Sequence, residues 1–253
     1  MRGHCLTGPI TNAAPTASTP HYARAPILEA VLQINTAGEI TAAGVAGMHP
    51  LFAESYPTKH QVFEPFEEQT DDGATTVGSK FVGYDFVDES GKRYVAARTQ
   101  GISLRQLWPY DRWETFASEA RRVWTIYRSL NQSPIEWIAL RYINRLEIPA
   151  PVTNLGDYLR TLPEIAPELP HVIKSFFLRL QLPATDEIDI VVQQGTVRTS
   201  TPKVEALMLD IEVRSSALSY SEDQVWERFE DLRVRKNDTF ESCISDKVRE
   251  LIR

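Results

Sequence analysis

The sequence predicts an α+β protein built from two pseudo-repeated halves. Each half runs strand, helix, antiparallel strands and long helix, with the long amphipathic helices packed on antiparallel sheet. Three observations carry this prediction. Two strand-like segments, Ala25 to Ile34 and Ile135 to Ile148, each open the same order of elements. Each series closes on a long apolar helical stripe, one beginning near Trp113 and the other near Val225. Between opening and close, short alternating runs are separated by turn residues, as in antiparallel sheet. The echo rests on element order, because residue identity between the halves is negligible. The predicted division is a disordered tail over residues 1–22, an N-terminal half over 23–132 and a C-terminal half over 133–253, the two halves forming one compact unit.

In the first half, Leu28, Ala30, Leu32 and Ile34 alternate with Glu29, Val31 and Gln33, which predicts a strand with one apolar face. Ile40 to Tyr56 reads as a helix weakened by Gly44 and Gly47 and broken or kinked at Pro50. A segment from Gln61 to Phe66 leads into a polar turn at Asp71-Asp72-Gly73. Lys80 to Val87 and Arg93 to Ala97 read as strands joined by a hairpin in which Gly91 supplies the positive φ. Ile102 to Leu107 is a further strand. Asp111 with Glu114 resembles a capping box for the helix that follows, where Trp113, Phe116, Ala117, Ala120, Val123 and Trp124 recur at helical steps.

The second half opens with strand 135–148, followed by a short helix capped at Asn154 and ended by Pro163. Val172 to Leu182, Glu187 to Gln193 and Glu205 to Arg214 read as strands. Ser221 and Gln224 form a capping box for the last helix. Val225, Phe229, Leu232, Phe240, Ile244, Val248 and Leu251 hold one face of it, with Asn237-Asp238 as the expected interruption.

Composition narrows the function classes. A net charge of −7 disfavours a general binder of the phosphate backbone, so nucleic acid is not the expected partner. No apolar run reaches the roughly 18 residues of a membrane span. The only cysteines, Cys5 and Cys243, argue against a disulfide framework and make a reducing cytoplasm the expected location. The five histidines are scattered, without H-E-x-x-H or paired ligand spacing, so neither a metal nor another cofactor is expected. There is no G-x-S-x-G elbow, and Cys243 sits at an apolar helical position, which speaks for an inert core thiol and leaves no candidate catalytic residue.

Four motifs then occur in order: Ala25-Pro-Ile-Leu-Glu-Ala-Val31, Trp108-Pro-Tyr-Asp-Arg-Trp113, Leu140-Arg-Tyr-Ile-Asn-Arg145 and Phe240-Glu-Ser-Cys-Ile-Ser-Asp246. On these motifs the chain resembles, over roughly residues 25 to 252, a sporadically distributed prokaryotic family of about this length that has no assigned activity. The sporadic distribution of that family implies a mobile or defence-related setting.

The sharpest constellation is Glu29 on the first opening strand with Arg141, Asn144 and Arg145 on the second. Arg141, Ile143 and Arg145 share one strand face, and Tyr142, Asn144 and Leu146 share the other. If the opening strands pair, Glu29 is expected to meet Arg141 or Arg145 in a bidentate ion pair. The plainer account of such a pair is a clamp that fixes the halves in register. The functional account is an anion site that takes a carboxylate or phosphate. Asp210 and Glu212 share the face opposite Leu209, Ile211 and Val213, the alternation of a solvent-facing strand.

The expected function is therefore a non-catalytic interaction or regulatory protein that recognises a protein partner. Gln193, Gln194, Thr196 and Thr199 are taken as its outward polar surface. The alternative is a small-molecule binder or enzyme for an anionic ligand, with a pocket between sheet and long helices and with Glu29, Arg141, Asn144 and Arg145 as anchors.

Overall fold

The structure is a computed structural model describing residues 22–69, 75–217 and 220–253. The expected tail, apart from Tyr22, and the acidic turn Asp71-Asp72-Gly73 lie outside the described residues. Among the described residues, nine strands, all paired antiparallel, form one continuous sheet. They are β1 (Ile27–Thr36), β2 (Thr58–Gln69), β3 (Thr75–Val87), β4 (Arg93–Arg98), β5 (Gly101–Leu107), β6 (Ile135–Pro149), β7 (Phe177–Pro183), β8 (Ile188–Val197) and β9 (Val204–Ser216), in the order β2-β3-β4-β5-β1-β6-β9-β8-β7. The two opening strands thus meet at its middle, with Leu32 opposite Leu140 and Val31 opposite Arg141.

One face of this sheet carries the core. Ala30, Leu32 and Ile34 of β1, Ile138, Leu140 and Tyr142 of β6 and Leu209, Ile211 and Val213 of β9 are buried on alternate positions. Helix α3 (Trp113–Leu130) contacts β5, and α4 (Glu222–Cys243) contacts β6 and β9. Their residues Phe116, Val123, Trp124, Val225, Phe229 and Leu232 belong to the same buried cluster as the strand residues. Burying one such large apolar side chain contributes about 1.5–3 kcal/mol, so the helices hold the sheet face by many such terms.

Several local expectations meet corrections. The helix expected over 40–56 with a break or kink at Pro50 is indeed interrupted, but at Gly47-Met48, giving α1 (Ala42–Ala46) and α2 (His49–Phe52). Pro50 sits in the first turn of α2, where its missing N–H is no loss. Helix α3 is capped by Arg112 without a side-chain cap bond, because Asp111 stands one residue too early and instead accepts from Thr115 Oγ1 at 3.3 Å. The second short helix shrinks to a 3-10 turn, Leu155–Asp157, capped by Asn154 as expected. Strand β7 begins only at Phe177, leaving Val172 exposed in the preceding link. Helix α4 passes unbroken through Asn237 and Asp238 and stops at Cys243. Ser245 then caps α5 (Asp246–Ile252) through its bond from the Val248 N–H.

The capping box Ser221/Gln224 and the hairpin at Gly91, with φ of 66°, are as the sequence predicts. Asp88 closes that hairpin by accepting from the backbone N–H groups of Lys92 and Arg93 at 2.9 and 3.0 Å.

Candidate functional site

Strand β6 divides the polar chemistry of the protein, because successive side chains point to opposite faces. On the face away from the core, Arg141 donates through Nε and Nη2 to the two oxygens of Asp210, at 2.9 and 2.6 Å. Gln193 adds a third bond to Asp210 at 3.2 Å. Along the same face Arg105 pairs with Glu29 at 2.7 Å, Arg98 with Asp85 at 2.7 Å and Arg214 with Glu212 at 3.1 Å. Arg145 lies 3.3 Å from Glu147, yet its buried Nε is out of hydrogen-bond geometry.

These contacts replace the expected pairing of Glu29 with Arg141 or Arg145. The register sets Glu29 opposite Ile143 on one side and Leu107 on the other, so its basic partner is the diagonal neighbour on β5, Arg105. Arg141 likewise reaches diagonally to Asp210 on β9, since Ile143 is the residue directly opposite Asp210. Diagonal same-face neighbours are about 7–8 Å apart, within reach of an arginine. Asp210, expected to face solvent, is only 3% exposed because Arg141 and Gln193 cover it. Gln194 was expected on an outward surface. It is instead fully buried on the core face, where its amide donates to the Thr161 carbonyl.

The other face of β6 leads to a cavity. Its walls are the chain from Tyr22 to Ile27, the link from Trp108 to Glu114 and the α4 segment from Arg233 to Glu241, with Tyr142 and Asn144 of β6 as the floor. Its volume, open on one side to solvent, is about 830 Å³, within the roughly 300–1,000 Å³ of small-molecule sites. Asn144 is thus the one predicted site residue that lines it. Its Nδ2 donates to the Leu209 and Tyr142 carbonyls at 3.0 and 3.3 Å, so the strand backbone fixes the amide.

Lys236 dominates the chemistry of this cavity. It is only 9% exposed, and its Nζ lies 3.8 Å from the centre of the Tyr142 ring. No carboxylate stands within ion-pair range of it among the described residues. The nearby acids are otherwise engaged or exposed: Glu230 binds Trp113 Nε1 and Arg233, Glu241 binds Tyr22 and Arg249, and Asp111 sits 3.8 Å from Arg112. Glu114 is exposed at the start of α3. Loss of hydration on burial, reinforced by the Arg233 charge, pushes the Lys236 amine down to about 7.

The phenols of Tyr110 and Tyr142 share a 2.7 Å hydrogen bond on the same wall. Burial pushes Tyr110 up to about 12 and Tyr142 well above its ordinary value, so both stay protonated at neutral pH. The cavity therefore joins an amine able to exist in both protonation states, a phenol pair and the Arg233 guanidinium.

The basic run Arg233-Val-Arg-Lys236 reads in the sequence as a solvated helix face, which the structure corrects at Lys236, buried although a signal existed. The apolar stripe of α4 steps from Leu232 to Phe240, and Lys236 fills the position midway between them, four residues from each. A lysine on a buried stripe needs a reason. Cys243 is buried, and desolvation pushes its thiol up to about 11, away from the reactive thiolate. Among the described residues no group of three or more His, Cys, Asp or Glu is placed to hold a metal ion. No helix among the described residues is long and apolar enough to cross a membrane. Neither protein-family models nor curated proteins give a match to this chain.

Proposed function

We propose that the protein binds a small anionic molecule in the cavity between the β1–β6 pair and α4, with Lys236 as the cation that receives it. The observation that carries this reading is the burial of Lys236 without an acidic partner among the described residues. A buried ammonium is costly unless paired, and an anion in the cavity supplies that pair. Arg233, one turn earlier on the same helix face, adds a second positive group. Tyr22, Trp113 and Phe240 give the cavity apolar walls suited to a small organic body.

Thermal unfolding at pH 6 with acetate, pyruvate or inorganic phosphate tests the reading. At least one of these anions raises the melting temperature of the native protein and leaves that of Lys236→Met unchanged. Equal shifts in both proteins, or none in either, contradict it.

The same proposal takes residues 23–132 and 133–253 as pseudo-equivalent halves of one compact unit. Outward from the central pair the strands run β5-β4-β3-β2 on one side and β9-β8-β7 on the other. Each long helix also contacts strands of its own half. A cytoplasmic setting fits the free, buried Cys243. The resemblance to a sporadic prokaryotic family, with its mobile or defence-related setting, is part of this proposal too.

A second reading, recognition of a protein partner, draws on the two sheet edges. Phe63, Phe66 and Val77 are exposed on the β2–β3 hairpin, and Phe177 and Leu182 on β7. Unpaired edge strands with exposed apolar side chains can accept an added strand. Co-purification from the native host tests it, and a protein that always emerges alone contradicts it.

A further inference from the structure

We propose that Lys236 forms an imine with a small oxo acid bound in this cavity. The inference rests on the anion-binding reading above and deepens it by naming the ligand class and the bond made. Three features of the geometry support it. The Nζ atom is held over the Tyr142 ring in the cavity, with no carboxylate among the described residues to lock it as an ammonium ion. Arg233 donates from Nε to Glu230 at 3.0 Å, and its terminal nitrogens donate no hydrogen bond among the described residues, which suits them to a ligand carboxylate. The Tyr110–Tyr142 phenol pair places a protonated hydroxyl on the same wall, where a carbonyl oxygen needs a proton source.

The step balances without a further reactant. The neutral amine of Lys236 adds to the carbonyl carbon, and the C=O π pair moves to oxygen. That oxygen takes a proton as nitrogen loses one, giving a carbinolamine. A second proton, supplied from the phenol pair, lets the hydroxyl leave as water while the nitrogen lone pair closes the C=N bond. The phenol regains its proton from the resulting iminium nitrogen.

Burial supplies the reactive form of the amine. With its titration pushed down to about 7, about half of Lys236 is unprotonated at neutral pH, against on the order of one in a thousand for an ordinary lysine. The charged groups around it comprise cations Arg24, Arg112 and Arg233 and carboxylates Asp111, Glu114 and Glu241, the last held by Arg249. Anion binding alone uses the ammonium and weakens as pH rises through about 7. Imine formation uses the free amine and grows over the same interval.

The test is reductive trapping. The full chain is incubated with pyruvate or glyoxylate and cyanoborohydride at pH 7.5, then peptide-mapped, while thermal shifts are recorded with the same acids. Label is expected at Lys236 at least about 10-fold above the exposed Lys92 and Lys203, given the larger free-amine fraction. It is lost in Lys236→Arg, which has no primary amine to condense with the carbonyl. A pyruvate-induced thermal shift without label at Lys236 overturns the imine and leaves anion binding standing. Label spread evenly over the lysines also overturns it. Neither label nor thermal shift removes both readings.

Discussion

Arg141 and Lys236 meet the central sheet from opposite faces, and they differ in what answers them. Arg141 is closed off by both oxygens of Asp210, with Gln193 completing the acid's contacts. Lys236, more deeply buried, lies over an aromatic ring with no acid in range among the described residues. The arginine's charge has already been matched by folding and has little left to offer a ligand. The lysine costs stability for as long as nothing binds, and that cost is the ground for proposing it as the ligand's cation. Perturbed titration in a cavity is the usual sign of such a site, whereas a closed ion-pair ladder is the usual sign of a structural one.

Removing each charge in turn sharpens this contrast. The largest effect is expected for Lys236→Met at low pH. The amine titrates near 7 when folded and near 10.5 when unfolded, so over that interval the unfolded chain holds the extra proton. Stability of the native protein therefore rises with pH from about 7 toward about 10, and the cost of the buried lysine is greatest below 7. Above about 10 the buried tyrosines reverse the trend, because they keep protons that the unfolded chain releases. Lys236→Met should gain on the order of 3 kcal/mol at pH 6 and much less at pH 9.5. Denaturant melts across this range check it, and parallel curves for the two proteins would count against the assignment.

Asp210→Ala comes next. It strands Arg141 beside a lost bidentate partner, and removing one member of a buried pair costs about 3–5 kcal/mol. The Arg141 side chain is 38% exposed, so water takes up part of that loss and about 2 kcal/mol is expected. Chemical denaturation measures it, and ligand-induced thermal shifts should be unaltered. The smallest effect belongs to Glu29→Gln. Its partner Arg105 is 39% exposed, so the loss stays below about 1 kcal/mol, again with binding intact. A loss of binding on either change would move the site to the opposite face of the sheet.

The difference between the two faces also decides what could be read in advance. Alternation in β1, β6 and β9 exposed which residues share a face, because a strand repeats every two positions whatever its neighbours. Partnership was not legible. Glu29 finds Arg105 and Arg141 finds Asp210 only once the order β5-β1-β6-β9 is set, and contacts made 76 and 69 residues apart fix that order.

The cavity was hidden for the same reason, since its walls come from three separate stretches near residues 22–27, 108–114 and 233–241. Lys236 itself was legible as the charged step in an apolar stripe. The misplaced break in α4 has a local cause: Asn237 and Asp238 carry only a modest penalty within a well-packed helix, whereas Ser245 offers a side chain to start the next one.

The most direct test is a heteronuclear NMR titration of the Lys236 side chain, assigned by comparison with Lys236→Arg, with and without saturating pyruvate under non-reducing conditions or acetate as an unreactive carboxylate. The expected midpoint is near 7 in the free protein and higher with acetate, since a bound anion favours the ammonium. A midpoint near the ordinary lysine value of about 10.4, unmoved by either acid, would contradict it.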